Sequence, residues 1–141
     1  MKIRVKHSGV VHLVTRKDPR RGDLTIAEAM KDIPFPIRRI YVIHHTKQNS
    51  VARGSHAHKT LKQVFVCVNG SFVLGLDDGK RKQKVLMNKP SLGIIIGPKL
   101  WHTMSKFSKD CVLISFTSDH YRETDYIRSY DKFQAFIKKK T

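Results

Sequence analysis

The sequence has few of the features that cross-link a chain or hold it in a membrane. Only two of its 141 residues are cysteine, Cys67 and Cys111, and both stand among apolar neighbours, which favours buried free thiols over a disulfide framework. No apolar run approaches the ~20 residues of a transmembrane helix. The first 18 residues lack the apolar stretch of a signal peptide. We therefore expect a cytoplasmic protein with no membrane partner.

Acidic residues are scarce as well. The chain has 11 Asp and Glu against 28 Lys and Arg, a formal net charge of +17. Such a surface favours an anionic partner, whether nucleic acid, a lipid headgroup or a phosphorylated metabolite, and charge alone does not choose among them. Much of the charge lies in runs at 80–84 and 138–140, which are typical of a solvated surface.

Proline and glycine are also few, at 5 and 8 residues, and we find no internal repeat or low-complexity linker. The 40% of hydrophobic residues excludes a disordered chain, and the length suits one domain over residues 1–141. The composition is that of a β protein. Runs of β-branched and aromatic residues recur between turn signals at 37–45, 61–68, 71–76, 82–87, 91–97, 100–107 and 111–117.

Two dipeptides indicate how these strands are connected. Asn69-Gly70 and Asp78-Gly79 separate consecutive runs and tolerate the positive φ of tight hairpins. They predict an antiparallel meander, and the number of short strands predicts a sandwich or a small barrel such as a jelly roll.

Helix is scarce in the pattern. Residues 25–33 are a weak candidate. Tyr130, Phe133 and Ile137 recur at helical spacing and predict a short amphipathic helix near the C-terminus. The lysines at 138–140 would then interact favourably with the helix dipole.

The densest chemical signal is the segment 53–59, Arg-Gly-Ser-His-Ala-His-Lys. On an extended chain His56 and His58 point to the same side, so two imidazoles enter one cavity. A neutral imidazole is either a metal ligand or a general base near neutral pH. An isolated pair of this kind is also compatible with a purely structural role.

The surrounding spacing resembles the first cupin motif, with Gln63 at the position that is usually Glu and Gly70 at its end. Gly93, Pro98 and His102 resemble the second motif. The resemblance implies an all-β cupin, a double-stranded β-helix or jelly-roll barrel, here with a short C-terminal helix. It also implies a metal set of His56, His58, Gln63 and His102. A neutral amide is a poor ligand for a divalent transition metal, so we expect a metal-free pocket and no cofactor.

A narrower resemblance spans nearly the whole chain. Five segments look like the dTDP-sugar 3,4-ketoisomerase family and occur in the family's order: 18–24, 33–41, 53–59, 101–104 and 126–130. The resemblance implies a small, metal-free cupin that forms a strand-exchanged homodimer. It implies dTDP-4-keto-6-deoxy-D-glucose as the substrate, with its keto group moved from C4 to C3 on the way to dTDP-3-amino sugars.

The resemblance implies roles for three catalytic groups. His56 and His58 would act as the base at C3 and as the partner that moves protons between the two oxygens, in an order that the sequence leaves open. Such proton transfers suit imidazole at neutral pH. Tyr41 would place a phenol in the pocket, either donating to the enediolate or assisting reprotonation.

Five further residues are candidates for substrate binding. Arg53 suits a pyrophosphate, because a guanidinium binds phosphate oxygens bidentately. Arg21 and His102 resemble the pair of the branch whose 3-keto product has the galacto configuration. Gln63 would orient a catalytic histidine. Trp101 would stack on the thymine or, equally, fill core at the barrel mouth.

Two other functions stay open. A metal-dependent cupin enzyme would bind metal tightly at His56, His58 and His102. A basic, non-enzymatic module would use the charge on nucleic acid, but Phe65, Phe72 and Phe107 lie in apolar strands rather than among exposed cations, which disfavours a nucleic-acid partner. The charge of +17 nevertheless exceeds what the two phosphates of a nucleotide sugar require. The excess indicates either plain surface charge or a second, polyanionic partner.

Overall fold

The computed structural model describes residues 1–48 and 51–139. It contains one α-helix, α1 (Tyr130–Lys138), a 3-10 turn (Glu123–Asp125) and twelve strands. The strands are β1 (Ser8–His12), β2 (Val14–Arg16), β3 (Leu24–Ile26), β4 (Arg39–Ile43), β5 (Arg53–His58), β6 (Gln63–Asn69), β7 (Phe72–Asp77), β8 (Lys82–Met87), β9 (Leu92–Ile96), β10 (Trp101–Ser105), β11 (Val112–Thr117) and β12 (Tyr126–Ile127).

Two five-stranded sheets face each other. The large sheet has the order β1-β9-β6-β11-β4 and the small sheet the order β12-β5-β10-β7-β8, with every pair antiparallel. Strands β2 and β3 form a separate hairpin. This arrangement confirms the predicted all-β jelly roll, because the chain crosses repeatedly between two facing sheets.

Every second side chain along the strands points inward, and these side chains fill the space between the two sheets. Phe72, Leu74 and Leu76 of β7 point inward and are almost fully buried, as are Phe65 of β6 and Ile94 of β9. Burying a side chain of this size stabilises the fold by ~1.5–3 kcal/mol. All seven predicted strand runs contain a strand, whereas β1, β2, β3, β5 and β12 had not been predicted as strands.

The predicted meander is wrong at one of its two turns. Asp78-Gly79 closes the β7–β8 hairpin as expected, but Asn69-Gly70 carries the chain from the large sheet to the small one. Gly70 has φ +67°, and a Cβ there would lie 2.9 Å from the Cys111 Cα. The glycine is therefore required by a tight crossover rather than by a hairpin.

The weak helix candidate at 25–33 is also wrong. Its first residues complete β3, and the rest forms a turn in which Met30 has φ +66°. The apolar residues after the turn pack against the large sheet: Ile33 is fully buried and Phe35 is 3% exposed. Tertiary burial therefore overrides a modest helix propensity.

The C-terminal helix is confirmed. The Ser129 side chain caps its first turn by accepting from the Lys132 N–H, and Phe133 is fully buried against Ala57 and Ile127 on the outer side of the small sheet. Lys140 lies outside the described residues. None of the helices within 1–48 and 51–139 is long and apolar enough to cross a membrane.

The outer face of the large sheet is apolar, and part of it is uncovered. Its β1 side is covered by Leu13, Ile33 and Phe35. On the β4 side, Ile40 and Val42 pair with Phe116 and Ile114 of β11, and they remain 56% and 47% exposed. We call these four residues the open apolar face.

Candidate active site

Strand β5 delivers the two histidines of the His-x-His motif to the interior. Gly54 and Ser55 both have positive φ, at +83° and +56°, and the β5–β10 ladder shifts register beside them. A Cβ on Gly54 would lie 3.1 Å from the His102 carbonyl oxygen, so this close approach favours glycine. Beyond the bulge His56 and His58 point inward together, as predicted.

His102 of β10 completes a cluster of three imidazoles. It is the Cα partner of His56 in the ladder, and the two ring centroids are 4.7 Å apart. The His58 ring lies 5.0 Å from that of His56 and 5.9 Å from that of His102. His58 and His102 are 2% and 1% exposed. These two rings are therefore shielded from water.

Burial makes all three imidazoles weak bases. Desolvation and the neighbouring His58 lower the pKa of His56 to about 4, and desolvation lowers the pKa of His102 well below its usual value. Desolvation also lowers the pKa of His58, although the nearby Asp125 carboxylate opposes this effect. All three rings are neutral at pH 7, and each therefore carries one basic nitrogen.

Asp125 fixes the tautomer of His58. The His58 Nδ1 lies 3.2 Å from an Asp125 carboxylate oxygen, and since a carboxylate only accepts, Nδ1 carries the proton and Nε2 is the basic nitrogen. The carboxylate also accepts from the Thr60 N–H, the Thr60 hydroxyl and the Leu61 N–H. Burial by itself raises the Asp125 pKa, but these hydrogen bonds outweigh it and hold the pKa below its usual value.

A second hydrogen-bonded group lies on the large sheet opposite the cluster. The Tyr41 hydroxyl donates to the Gln63 Oε1 at 2.8 Å, and the Ser115 hydroxyl donates to the same oxygen at 3.3 Å. Burial raises the pKa of Tyr41, so the phenol stays protonated. Gln63 Nε2 and His102 Nε2 are buried without a hydrogen-bond partner, which suits a pocket that receives a polar ligand.

A cavity of about 500 Å³ opens over these groups. His56, Tyr41 and Arg53 line it, together with Arg39, Tyr126 and Arg128. The Arg128 guanidinium lies over the Tyr126 ring at 4.3 Å and is held by Glu123 through two hydrogen bonds, which lower the pKa of Glu123 to about 2. The cavity therefore has an imidazole floor and a guanidinium rim, which suits a ligand bearing phosphate groups.

Of the predicted residues, His58, His102 and Gln63 are buried and do not themselves line the cavity. Two others lie away from it within their own chain. Arg21 lies at the tip of the β2–β3 hairpin, where its guanidinium pairs with Asp18 at 2.6 Å and is 87% exposed. Trp101 precedes His102 on β10 and so faces the other side of the sheet, where it packs against Tyr130 and Phe133. Trp101 therefore packs on apolar surface beside the helix, on the opposite side of the sheet from this cavity, and its stacking on a thymine stays a prediction.

Four residues of the site were missed. Arg39 stands two residues before Tyr41, and Tyr126 stands two before Arg128, so alternation on a strand places each pair on one side. That period-2 signal was available in the sequence. Asp125 had no such signal, because its contact with His58 joins residues 67 positions apart.

The three imidazoles also meet the distance requirement of a metal site. One ring nitrogen of each lies within 4.8 Å of the others, which is close enough for a shared ion. The fourth cupin position falls on Gln63, whose amide oxygen already accepts from Tyr41 and Ser115. The histidines therefore suit a metal, whereas the fourth ligand does not.

Comparison with known proteins agrees with this geometry. The family model FdtA, described as WxcM-like, C-terminal, matches residues 6–138. The TDP-4-oxo-6-deoxy-alpha-D-glucose-3,4-oxoisomerase of Aneurinibacillus thermoaerophilus is 50% identical over 119 residues, covering 84% of this chain and 85% of that protein.

Two solved structures of the 3,4-ketoisomerase QdtA from Thermoanaerobacterium thermosaccharolyticum are similar throughout. A histidine-to-asparagine mutant in complex with TDP-4-keto-6-deoxyglucose is 37% identical with a TM-score of 0.92, over 96% of this chain and 97% of that one. A mutant with tyrosine replaced by arginine and arginine by histidine, in complex with TDP, is 39% identical with a TM-score of 0.91 over the same shares. The present chain belongs to the FdtA family and is a sugar 3,4-ketoisomerase.

Proposed function

We propose that this enzyme converts TDP-4-keto-6-deoxyglucose into its 3-keto isomer, for the synthesis of TDP-3-amino sugars. The observation that carries the proposal is the cluster of neutral imidazoles beneath a cavity with an arginine rim. The names of the Aneurinibacillus relative and of the QdtA complex contain this same sugar. The cavity volume of about 500 Å³ suits a ligand of nucleotide-sugar size.

The reaction is a redox exchange within one molecule. A base removes the proton from C3, the electrons of that C–H bond form the C3–C4 double bond, and the C4 oxygen gains a proton to give an enediol. The C3 hydroxyl then loses its proton, the keto group forms at C3, and C4 accepts a proton. The site must therefore exchange protons at two carbons and two oxygens, and no external oxidant is required.

We assign the removal of the proton from C3 to His56, because this imidazole lines the cavity. His58 lies behind it, 2% exposed, with Asp125 fixing Nε2 as the basic nitrogen. That nitrogen moves the proton between the two oxygens, and the carboxylate stabilises the imidazolium that forms in between. The protonated Tyr41 phenol donates to the developing enediolate.

The rim residues bind the pyrophosphate. Arg53 and Arg39 both line the cavity, and the Arg39 Nε is buried without a hydrogen-bond partner, so it is available to an anion. Arg128 is already neutralised by Glu123 and contributes less. Gln63 positions Tyr41 through the hydrogen bond between them.

A second copy of the chain is required to bring Arg21 to a cavity. We propose a strand-exchanged homodimer in which the β2–β3 hairpin of one protomer reaches the other. The hairpin exposes Val14 and Leu24 by 55% and 59%, and the open apolar face exposes Ile40 and Val42. Exposed apolar surface of this kind marks contact sites between proteins.

The dimer predicts a specific effect of charge on that face. Ile40→Glu with Val42→Glu should convert a dimer into a monomer in analytical ultracentrifugation, because two carboxylates would be buried in the interface. Leu86→Glu is the matched control, since Leu86 is exposed to the same 56% as Ile40 but lies on β8. A wild-type protein that sediments as a monomer would refute the dimer.

Arg21 and His102 are proposed to set the configuration at C4. An arginine and a histidine are also the two residues that were introduced in the QdtA double mutant. We propose the galacto-configured product, and an Arg21→Tyr, His102→Arg variant should protonate C4 on the opposite face and release the gluco isomer, as read from the proton couplings at C4 by NMR. An unchanged C4 configuration in an active variant would contradict the assignment.

The contact between Asp125 and His58 predicts that loss of the carboxylate lowers kcat much more than it changes KM. Asp125→Asn removes the carboxylate that fixes the His58 tautomer, so kcat should fall about 100-fold while KM changes less than about threefold. Asp119→Asn is the control, since this carboxylate pairs with Arg122 on the same connection, and its kcat should stay within about twofold. Equal kcat values for the two variants would show that Asp125 is structural only.

A metal-dependent reaction is the second candidate, supported by the spacing of the three histidines. Chelator-treated protein is mixed with TDP-4-keto-6-deoxyglucose in deuterated buffer and followed by NMR. We expect the 3-keto sugar with deuterium at C4, and a loss of about 1,000-fold or more in His56→Ala and in His58→Ala, with TDP binding retained in both. Turnover that returns only when a divalent metal is added would establish the metal enzyme instead.

The active site also predicts a pH dependence. Because the pKa of His56 is lowered from 6.5 to about 4, the imidazole remains a base well below pH 6.5, and kcat/KM should hold down to about pH 5 before it declines. The stability of the fold should also decrease as the pH falls. Between pH 6.5 and pH 4 the His56 side chain binds more protons in the unfolded chain than in the folded one, so the free energy of unfolding falls over this range. In a pH series, a midpoint for kcat/KM at pH 6.5 would contradict a buried base.

A further inference from the structure

The cationic residues of the chain are not spread evenly over its surface. Three segments that are distant in sequence meet at the free edge of the small sheet: residues 2–6, residues 80–84 and residues 138–139. We call them together the basic edge. Strand β8 forms this edge, whereas β12, which borders the catalytic cavity, forms the opposite edge of the same sheet.

Specific contacts hold the first two segments together. The Arg4 N–H donates to the Gln83 side chain at 2.9 Å, and that side chain donates to the Lys2 carbonyl at 3.0 Å. The Lys6 N–H donates to the Asp78 carboxylate at 2.7 Å. Residues 2–6 therefore run alongside β8 in a fixed position.

Apolar and charged residues alternate along the N-terminal segment, and its charged side chains point outward. Ile3 packs on the core and Val5 is 4% exposed, so Lys2, Arg4 and Lys6 point to solvent. Helix α1 reaches this edge at Gly79, where a Cβ would clash with the Ile137 side chain. Lys138 and Lys139 follow Ile137 in the chain, so this contact brings them close to the same edge.

The Lys and Arg residues of the basic edge outnumber the carboxylates near them. Lys2, Arg4, Arg81 and Lys82 line one cleft of about 740 Å³, and no carboxylate lines it. The two aspartates nearby are used internally: Asp77 accepts from Tyr130 and from the Gly79 N–H, and Asp78 accepts from three backbone N–H groups. Among the described residues only Lys82 of this edge has an ion pair, at 3.8 Å from Asp77.

We propose that the basic edge docks the protein onto the surface of an anionic phospholipid bilayer. Most of its cations are lysines, which act on a charged surface without needing directed hydrogen bonds. Two exposed apolar side chains flank them, Met1 at 64% and Leu86 at 56%, and such groups gain from entering the headgroup region. A nucleic acid would offer these two apolar side chains no apolar environment to enter. The aromatic ring beneath Lys82 is that of Tyr130, and its hydroxyl is hydrogen-bonded to Asp77.

This proposal does not depend on the reaction, and it revises the expectation of no membrane partner. The sequence showed charge runs at 80–84 and 138–140 but not that residues 2–6 join them. The basic edge and the cavity lie at opposite edges of the small sheet, so a docked protein keeps its active site open.

Vesicle flotation of the full chain tests the proposal with two variants of identical net charge. One replaces Lys2, Lys80 and Lys84 of the basic edge by glutamate. The other replaces Lys47, Lys62 and Lys109, which are equally exposed but lie on loops outside the edge. On vesicles containing phosphatidylglycerol we expect binding by the wild type, a loss of about tenfold or more in the edge variant, and a change within about twofold in the control variant.

Three readouts make the result decisive. Binding should weaken when salt rises from about 0.1 M to about 0.5 M, and it should be absent on pure phosphatidylcholine. Isomerase activity of the edge variant should equal that of the wild type, which shows that it is folded. Equal losses in both variants would mean that net charge alone attracts vesicles, and displacement by duplex DNA at equal phosphate concentration would assign the edge to nucleic acid; either result overturns the proposal.

Discussion

The pairing of β5 with β10 is the constraint on which the site depends. It places His56 opposite His102, and alternation along β5 turns His58 to the same side, so three imidazoles share a space that admits little water. Burial disfavours the charged form of each ring, neighbouring imidazoles add to this effect at His56 and His102, and the rings therefore stay neutral. The bulge at Gly54 is part of the same constraint, because a side chain there would press on the His102 carbonyl and disturb the pairing that assembles the cluster.

Neutrality decides what the cluster does. A neutral imidazole both accepts and donates a proton, so in the mechanism proposed above it would serve both halves of a reaction in which one carbon loses a proton and its neighbour gains one. The groups around the cluster limit that freedom: Asp125 assigns the tautomer of His58, and Gln63 holds the Tyr41 phenol. The same burial that lowers the histidine pKa values keeps the phenol protonated. In the proposed mechanism, burial would thus prepare both the bases and the acid.

The sequence predicted what is local and periodic. The strand runs, the C-terminal helix and the shared orientation of His56 and His58 all follow from spacing within a few residues. It failed where a contact joins distant residues, as between His58 and Asp125, or where one signal has two outcomes, as at Asn69-Gly70, since a glycine with positive φ suits a hairpin and a crossover between sheets alike. Arg21 shows a third limit: its candidate role concerns a cavity that its own chain does not bring near it.

The width of the small sheet separates the two charged regions. From β12 to β8 there are four steps of ~4.8 Å, or roughly 19 Å, whereas charges in physiological salt are screened over ~8 Å. The basic edge would therefore add little to the attraction of a phosphate ligand at the arginine rim, where Arg39 and Arg53 are the residues proposed to bind the two phosphates. Clustered charge that is too far away to assist the substrate, and that among the described residues forms an ion pair only at Lys82, needs its own physical reason. A surface that is itself extended and anionic supplies one, because many weak cationic contacts then act together.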